Sequence, residues 1–258
     1  MTVLYQSPVF GPVHSRRLGV SLGVNLLPPD GKVCSFDCIY CECGFNKDRR
    51  TGHRMPTREE VSTALRATLE KMKAEGPAPD VITFAGNGEP TLHPHFSEIV
   101  DDVKSLRDEF FPDCKISVLS NATQIVRSQV FEALLKVDNN ILKLDTVSPG
   151  YIRMVDKPVS DKYDVNAIVE KLMEFGSRCI IQTMFMRGKH EGKDMANTGD
   201  EFVIPWLEAV KSIKPSCVMI YTIDRETPSP LLEKATKAEM DNIAEKVRAA
   251  GIPCQVSY

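Results

Sequence analysis

Nowhere in the 258-residue sequence does an apolar run approach the roughly 18 residues that a membrane-spanning helix needs. The opening MTVLYQSPVFGPVHSRR also lacks a charged start followed by an apolar stretch, so neither a membrane span nor a signal peptide is expected. The expected compartment is the reducing cytoplasm. Charge of one sign is not in excess either: the formal net charge is −3, which speaks against a large nucleic-acid footprint because phosphate binding draws on a strongly basic face. Internal repeats, low-complexity tracts and a convincing linker are all missing, and a single domain over residues 1–258 is expected. Cysteine is sparse along most of the chain. Of the eight present, however, four fall within residues 34–44, CSFDCIYCECG.

Two small basic clusters stand out locally, Lys47, Arg49, Arg50 and Arg54 in one and His14, Arg16 and Arg17 in the other. Solvated loop charge is the ordinary reading of both. Arg16 and Arg17 are also candidates for binding an anion.

Apolar residues Val61, Ala64, Leu65, Leu69 and Met72 recur at helical spacing, Thr57 and Glu60 form a capping box, and Gly76-Pro77 ends the run. DVITFAG follows as a short β-branched strand. Phe96, Ile99, Val100, Val103 and Leu106 then return to helical spacing. Further strands are expected at 115–120, 140–145, 179–186, 217–223 and 253–256, with helices near 127–136, 164–176, 201–213 and 236–250. Alternating helices and largely apolar strands imply a mainly parallel α/β sheet covered by helices. About six βα units fit the length, so the choice lies between an open doubly wound sheet and an incomplete barrel. In either, ligands gather at the C-terminal strand ends. The loops there include 86–94, 120–124, 146–160, 187–200 and 224–234, and the glycines of 187–200 suit a mobile lid as well as a solvated turn.

Three chemistries compete for Cys34, Cys38, Cys41 and Cys43. A disulfide framework is the weakest, because cytosolic thiols stay reduced and a chain of this size needs no staples. Four thiolates can surround zinc, although zinc ligands usually come as two separated pairs. The third reading is an iron–sulfur cluster. Cys34, Cys38 and Cys41, spaced C-x3-C-x2-C, supply three ligands to a cubane and leave one iron open. Cys43 as a fourth ligand would close that iron. Cys114, Cys179, Cys217 and Cys254 are scattered, and buried structural thiols are the default for them.

The Cys34, Cys38, Cys41 spacing, with Tyr40 before the third cysteine, resembles the hallmark of the radical S-adenosylmethionine (radical SAM) superfamily. GNGEP at 86–90 follows a strand where that family carries a glycine-rich stretch, and SNA at 120–122 ends the next. The resemblance implies an incomplete (βα)6 barrel and a [4Fe-4S] cluster on Cys34, Cys38 and Cys41. Its open iron would chelate the methionine moiety of S-adenosyl-L-methionine (SAM). It also implies contacts to SAM from Tyr40, from Gly86, Asn87, Gly88 and Glu89, and from Ser120 and Asn121. An electron donor such as flavodoxin or ferredoxin would be a partner. Reductive cleavage of SAM would then give a 5′-deoxyadenosyl radical that abstracts hydrogen from a substrate.

The N-terminal GPVHSRRLGVSLGVNLLPP, with KVCSFDCIYCECG, resembles iron–sulfur oxidoreductases related to the radical enzymes of wyosine formation in tRNA. Glu42 stands where those tRNA enzymes often carry tryptophan. The candidate substrates are a small molecule, a nucleobase or an RNA base, with Arg153, Lys157, Arg187 and Arg225 on strand-end loops to meet an anion. Asp145 is a candidate cavity residue. Two alternatives stand beside this reading. One is an activase whose partner is a large glycyl-radical enzyme, and the other is a non-catalytic iron–sulfur or zinc module that uses Cys43.

Overall fold

The structure, a computed structural model, describes residues 2–15, 19–48 and 52–258. Arg16, Arg17, Arg49 and Arg50 lie outside the described residues. The chain begins with a hairpin, β1 (Val9–Ser15) antiparallel to β2 (Gly19–Val24). Helix α1 (Arg58–Glu75) follows, then β3 (Val81–Phe84), α2 (Phe96–Phe110), β4 (Lys115–Ser120), α3 (Ser128–Leu134) and β5 (Asn139–Lys143). Next come α4 (Pro149–Val155), α5 (Val165–Phe175), β6 (Ile180–Met184), β7 (Met186–His190), β8 (Lys193–Asp194) and α6 (Asp200–Ile213). The chain ends with β9 (Cys217–Tyr221), β10 (Leu232–Lys234), α7 (Lys237–Ala249) and β11 (Cys254–Ser257).

The main sheet runs β1-β2-β3-β4-β5-β6-β9-β11, and every pair after β1–β2 is parallel. This is the mostly parallel α/β sheet expected, with the six βα units of an incomplete barrel and β11 as a last strand. Side chains alternate between its faces. Leu22, Val24, Ile82, Phe84, Ile116, Val118, Leu142, Ile181, Val218 and Ile220 form the core with the helices. On the other face small polar groups pair across strands, as Ser21 Oγ does with Thr83 Oγ1 at 2.9 Å and Asn139 Nδ2 with Ser117 Oγ at 2.9 Å. The strands are therefore less uniformly apolar in their packing than their composition implies.

Helix α1 takes the expected register, burying Val61, Leu65, Leu69 and Met72, with the Thr57–Glu60 capping box formed and Gly76 at its end. Three departures matter for the site. Strand β2, the first parallel strand, was not foreseen. The apolar run 179–186 breaks at Phe185 into β6 and β7. The 187–200 loop is a packed hairpin instead of a free lid: β7 pairs with β8 and with β10 in a second, antiparallel sheet. Within it Met195 is 1% exposed, Asn197 bonds Met186 N and Met184 O, and Tyr151 donates to Met195 O. Gly188 has φ +100 and would place a Cβ 2.2 Å from Leu231 O, so glycine there admits the third strand.

Candidate functional site

All the parallel strands deliver their following loops to one edge of the sheet, and the cysteine segment is the loop after β2. It is held mainly through its backbone. Val33 N donates to Asn87 O and Glu89 N donates to Val33 O, tying it to the loop after β3. On its other side the stretch after α4 runs alongside: Ile39 N donates to Val155 O, Asp37 N to Asp156 O, and Val159 N to Ser35 O, each at 2.9 Å. Phe36 and Ile39, 2% and 0% exposed, pin the segment into a smaller apolar cluster with Tyr151, Val155 and Met184. Asn46 clasps the start of the loop, accepting from Cys34 N at 2.9 Å and donating to Cys34 O at 3.1 Å.

Cys34, Cys38, Cys41 and Cys43 all carry free thiols. The Cys34 sulfur accepts from Phe36 N at 3.5 Å and from Asn121 Nδ2 at 3.4 Å. Cys38 donates to Asp156 Oδ1 at 3.5 Å. Burial pushes the Cys34 thiol up to about 12 and the Cys38 thiol upward as well, because a thiolate loses hydration there. Cys41 moves the other way, to about 6, since the Cys43 thiol donates to it and the Lys32 ammonium lies near. Cys43 is pushed upward in turn by that hydrogen bond and by burial, and its sulfur also lies 3.4 Å from Gly86 O. Among the described residues no three His, Cys, Asp or Glu side chains converge closely enough for a single metal ion.

Gly86 and Gly88 take φ +139 and +131, and a Cβ on Gly88 would lie 2.0 Å from Val33 O. Only glycine permits this loop to lie against the cysteine segment. Asn87 is fully buried, and its amide is spent on Tyr5 N, Tyr5 O and Pro28 O, which fastens the N-terminal residues over the loop. Glu89, 1% exposed, accepts from Thr91 N, Thr91 Oγ1, Ser120 Oγ and Asn121 N. Burial raises its pKa although those donors oppose the rise. Through Glu89 the loops after β3 and β4 become one polar unit. Asn121 extends that unit to Ser35 Oγ at 2.9 Å as well as to Cys34.

A buried ionic group lies behind Tyr40. Its hydroxyl donates to Asp145 Oδ2, and Lys143 Nζ lies 2.6 Å from the same hydroxyl, bridging Asp145 to Asp156. Burial opposes the Lys143 charge, yet the two carboxylates hold its pKa well above the ordinary lysine value, while burial raises that of Asp156. Asp145 also accepts from Met184 N at 2.9 Å. Lys143, Asp156 and Lys32 were not singled out from the sequence. Lysine at the end of an otherwise apolar strand, in NILKLD, was a signal for the first.

The candidate anion-binding residues have partners of their own. Arg225 pairs with Glu42 at 2.7 Å, Lys157 Nζ lies 3.1 Å from His190 Nε2, and Arg187 lies 3.9 Å from Glu239. Arg153 is exposed on α4.

Comparison with known proteins bears on the same residues. The family model described as the radical SAM superfamily matches residues 29–202. A protein of Helicobacter pylori named UPF0026 protein is 32% identical over 239 residues, covering 91% of this chain and 71% of its own length. Among solved structures, a radical SAM methyltransferase from Sphaerobacter thermophilus superposes with a TM-score of 0.67 at 15% identity. That match covers 92% of this chain and 66% of the other. A TYW1 structure with a lysine-pyruvate adduct bound gives 0.62 at 16% identity, covering 89% and 73%. No helix among the described residues is long and apolar enough to cross a membrane.

Proposed function

The chain belongs to the radical SAM superfamily, and from that premise we propose that Cys34, Cys38 and Cys41 hold a [4Fe-4S] cluster with which the protein cleaves SAM. The observation that carries the proposal is the braced loop itself. Three free thiols stand on a backbone-fixed segment at the C-terminal strand edge, and the groups near the sulfurs include an amide of Asn121, a main-chain N–H and the ammoniums of Lys32 and Lys143, beside the Asp156 carboxylate at Cys38. Such a donor set suits an anionic iron–sulfur group, whose thiolates gain from N–H donors and a nearby cation. Held by Cys34, Cys38 and Cys41, such a cluster would supply the one electron that breaks the C5′–S bond of SAM, giving methionine and a 5′-deoxyadenosyl radical that would take hydrogen from the substrate.

The chain's own residues supply position and exclusion. Gly86 and Gly88 let the backbone after β3 lie close to the cofactor site, and Asn87 acts there through its main chain because its amide is already engaged. Glu89, itself buried, ties Ser120 and Asn121 into one connected polar unit that would meet the amino acid end or ribose of SAM. Tyr40 is held by Asp145 and Lys143, which fixes the residue beside the third thiol. The substrate class is a small molecule, a nucleobase or an RNA base, and the reductant is a small electron carrier of the flavodoxin or ferredoxin kind.

The test is anaerobic reconstitution with iron and sulfide, followed by SAM and a strong reductant, with 5′-deoxyadenosine measured. The expected result is product that disappears on replacing Cys34, Cys38 or Cys41. An intact cluster without product, in the presence of cell extract as a source of substrate, overturns the proposal in favour of a binding or electron-transfer role.

A further inference from the structure

Lys32 stands two residues before the first cysteine and is 2% exposed. Its ammonium donates to Gly44 O at 3.2 Å and lies 3.4 Å from Asp37 Oδ1, a long contact to a carboxylate that Asn46 N already occupies at 2.8 Å. Its charge also interacts electrostatically with the thiols of Cys41, Cys38 and Cys34. The contrast with Lys143 is instructive. That second buried ammonium has two carboxylates beside it and, among the cysteines, acts on Cys38, whereas Lys32 has one distant carboxylate and acts on Cys34, Cys38 and Cys41. Burying a cation is strongly unfavourable unless an anion lies against it. For Lys32 the face that can supply the anion is the face of the three cysteines.

We propose that Lys32 is the fixed countercharge of the iron–sulfur cluster and raises its reduction potential. The inference rests on the function proposed above. Reduction adds one negative charge to a group that is already anionic through its thiolates. A cation held beside those thiolates, away from water and salt, stabilises the reduced form more than the oxidised one. Lys32 thereby helps to decide which electron carriers can load the cluster. Its bonds to Gly44 O and Asp37 alone would make it a structural residue, affecting stability and leaving the potential unchanged.

The experiment uses the full chain, reconstituted without oxygen and without SAM, and titrated with titanium(III) citrate while the electron paramagnetic resonance signal of the reduced cluster is followed. Iron and sulfide content is measured alongside. Lys32→Met is expected to keep its cluster while the equilibrium for reduction falls at least tenfold, a potential lower by about 59 mV for one electron. Lys32→Arg is expected to return it toward the wild-type value. A fully loaded Lys32→Met chain with an unchanged potential overturns the proposal. Should that variant fail to load, Lys32→Gln and Lys32→Arg decide. Equal potentials in the two, or loss of the cluster from both, overturn the countercharge role, while loading that requires arginine supports it. A wild-type chain that takes up no cluster overturns the underlying function and this inference with it.

Discussion

The Lys143 ammonium lies 2.8 Å from Asp156 Oδ1, and through that contact β5 is joined to the stretch of chain that braces the cysteine loop. Removing one member of a buried pair leaves the other as an uncompensated charge, so Lys143→Met is expected to destabilise the protein by about 3–5 kcal/mol. Denaturant unfolding of the metal-free chain measures it. A loss below about 1 kcal/mol, the range of exposed pairs, would show that the pair is not effectively buried.

Cys43 tests the assignment of ligands. It contacts Cys41 and Gly86 O and is expected to act on the cluster only through those neighbours. Cys43→Ser should lower cluster affinity by about tenfold and leave the cluster type and 5′-deoxyadenosine formation in place. Cys41→Ser should abolish both. Loss of the cluster from Cys43→Ser, read by iron content and spectroscopy, would favour a closed four-cysteine module.

Gly88 joins the fold to the site at a single backbone position. Its φ of +131 and the 2.0 Å approach of Val33 O to a Cβ mean that Gly88→Ala must push the cysteine segment outward. The expected cost is at least about 1–3 kcal/mol, together with loss of cluster loading that leaves far-ultraviolet circular dichroism nearly unchanged. Gly192, with nothing within 4 Å of a Cβ and φ +76, is the control: Gly192→Ala carries only local strain and should load normally.

Much of this arrangement was legible beforehand, and the limits have physical causes. Helix α1 announced itself because periodicity, capping box and terminal glycine agree. The six parallel strands from β3 to β11 were foreseen because buried strands read as continuous apolar runs. Strand β2 was not, since GVSLGV alternates glycine and serine with apolar residues and so carries a weaker signal. Helix α4 was hidden in what reads as a loop with prolines at each end, although Ser148 caps it and Pro149 occupies its first turn. The cysteine spacing identified the candidate centre, but Lys32, Lys143 and Asp156 come together only by long-range packing, which no local pattern encodes.

The first helix offers a test of pH dependence. Arg54 and the cap backbone hold Glu60 at about 2, below its ordinary value of 4.5. A lowered carboxylate stabilises the fold fully above the unfolded value, and that contribution fades as pH falls toward the folded one. The difference in melting temperature between wild type and Glu60→Gln is therefore expected to be constant above about pH 5 and to shrink between there and pH 2. A difference that does not change with pH would mean that the carboxylate charge is not what stabilises the cap. Thr57→Ala should cost about 1 kcal/mol.

Trp206 is fully buried, stacks edge-on against Phe185 at 5.3 Å and donates to Leu144 O at 2.9 Å. Trp206→Phe is expected to remove one of two donors to that carbonyl, Thr183 Oγ1 at 2.8 Å being the other, and to leave a void, destabilising by about 1–3 kcal/mol, read from chemical denaturation. A change under about 0.5 kcal/mol would show that neighbouring side chains close the gap.

The bracing of the cysteine segment by main-chain amides has one more consequence. Peptide groups from residues 87–89 and 155–159 draw it into shape, with glycine at position 88 as the one side-chain condition. The mould therefore exists before anything is cast in it. Under the proposed function, iron delivery would be an event in the life of the finished protein, and a chain stripped by oxygen would be refilled without passing through the ribosome again.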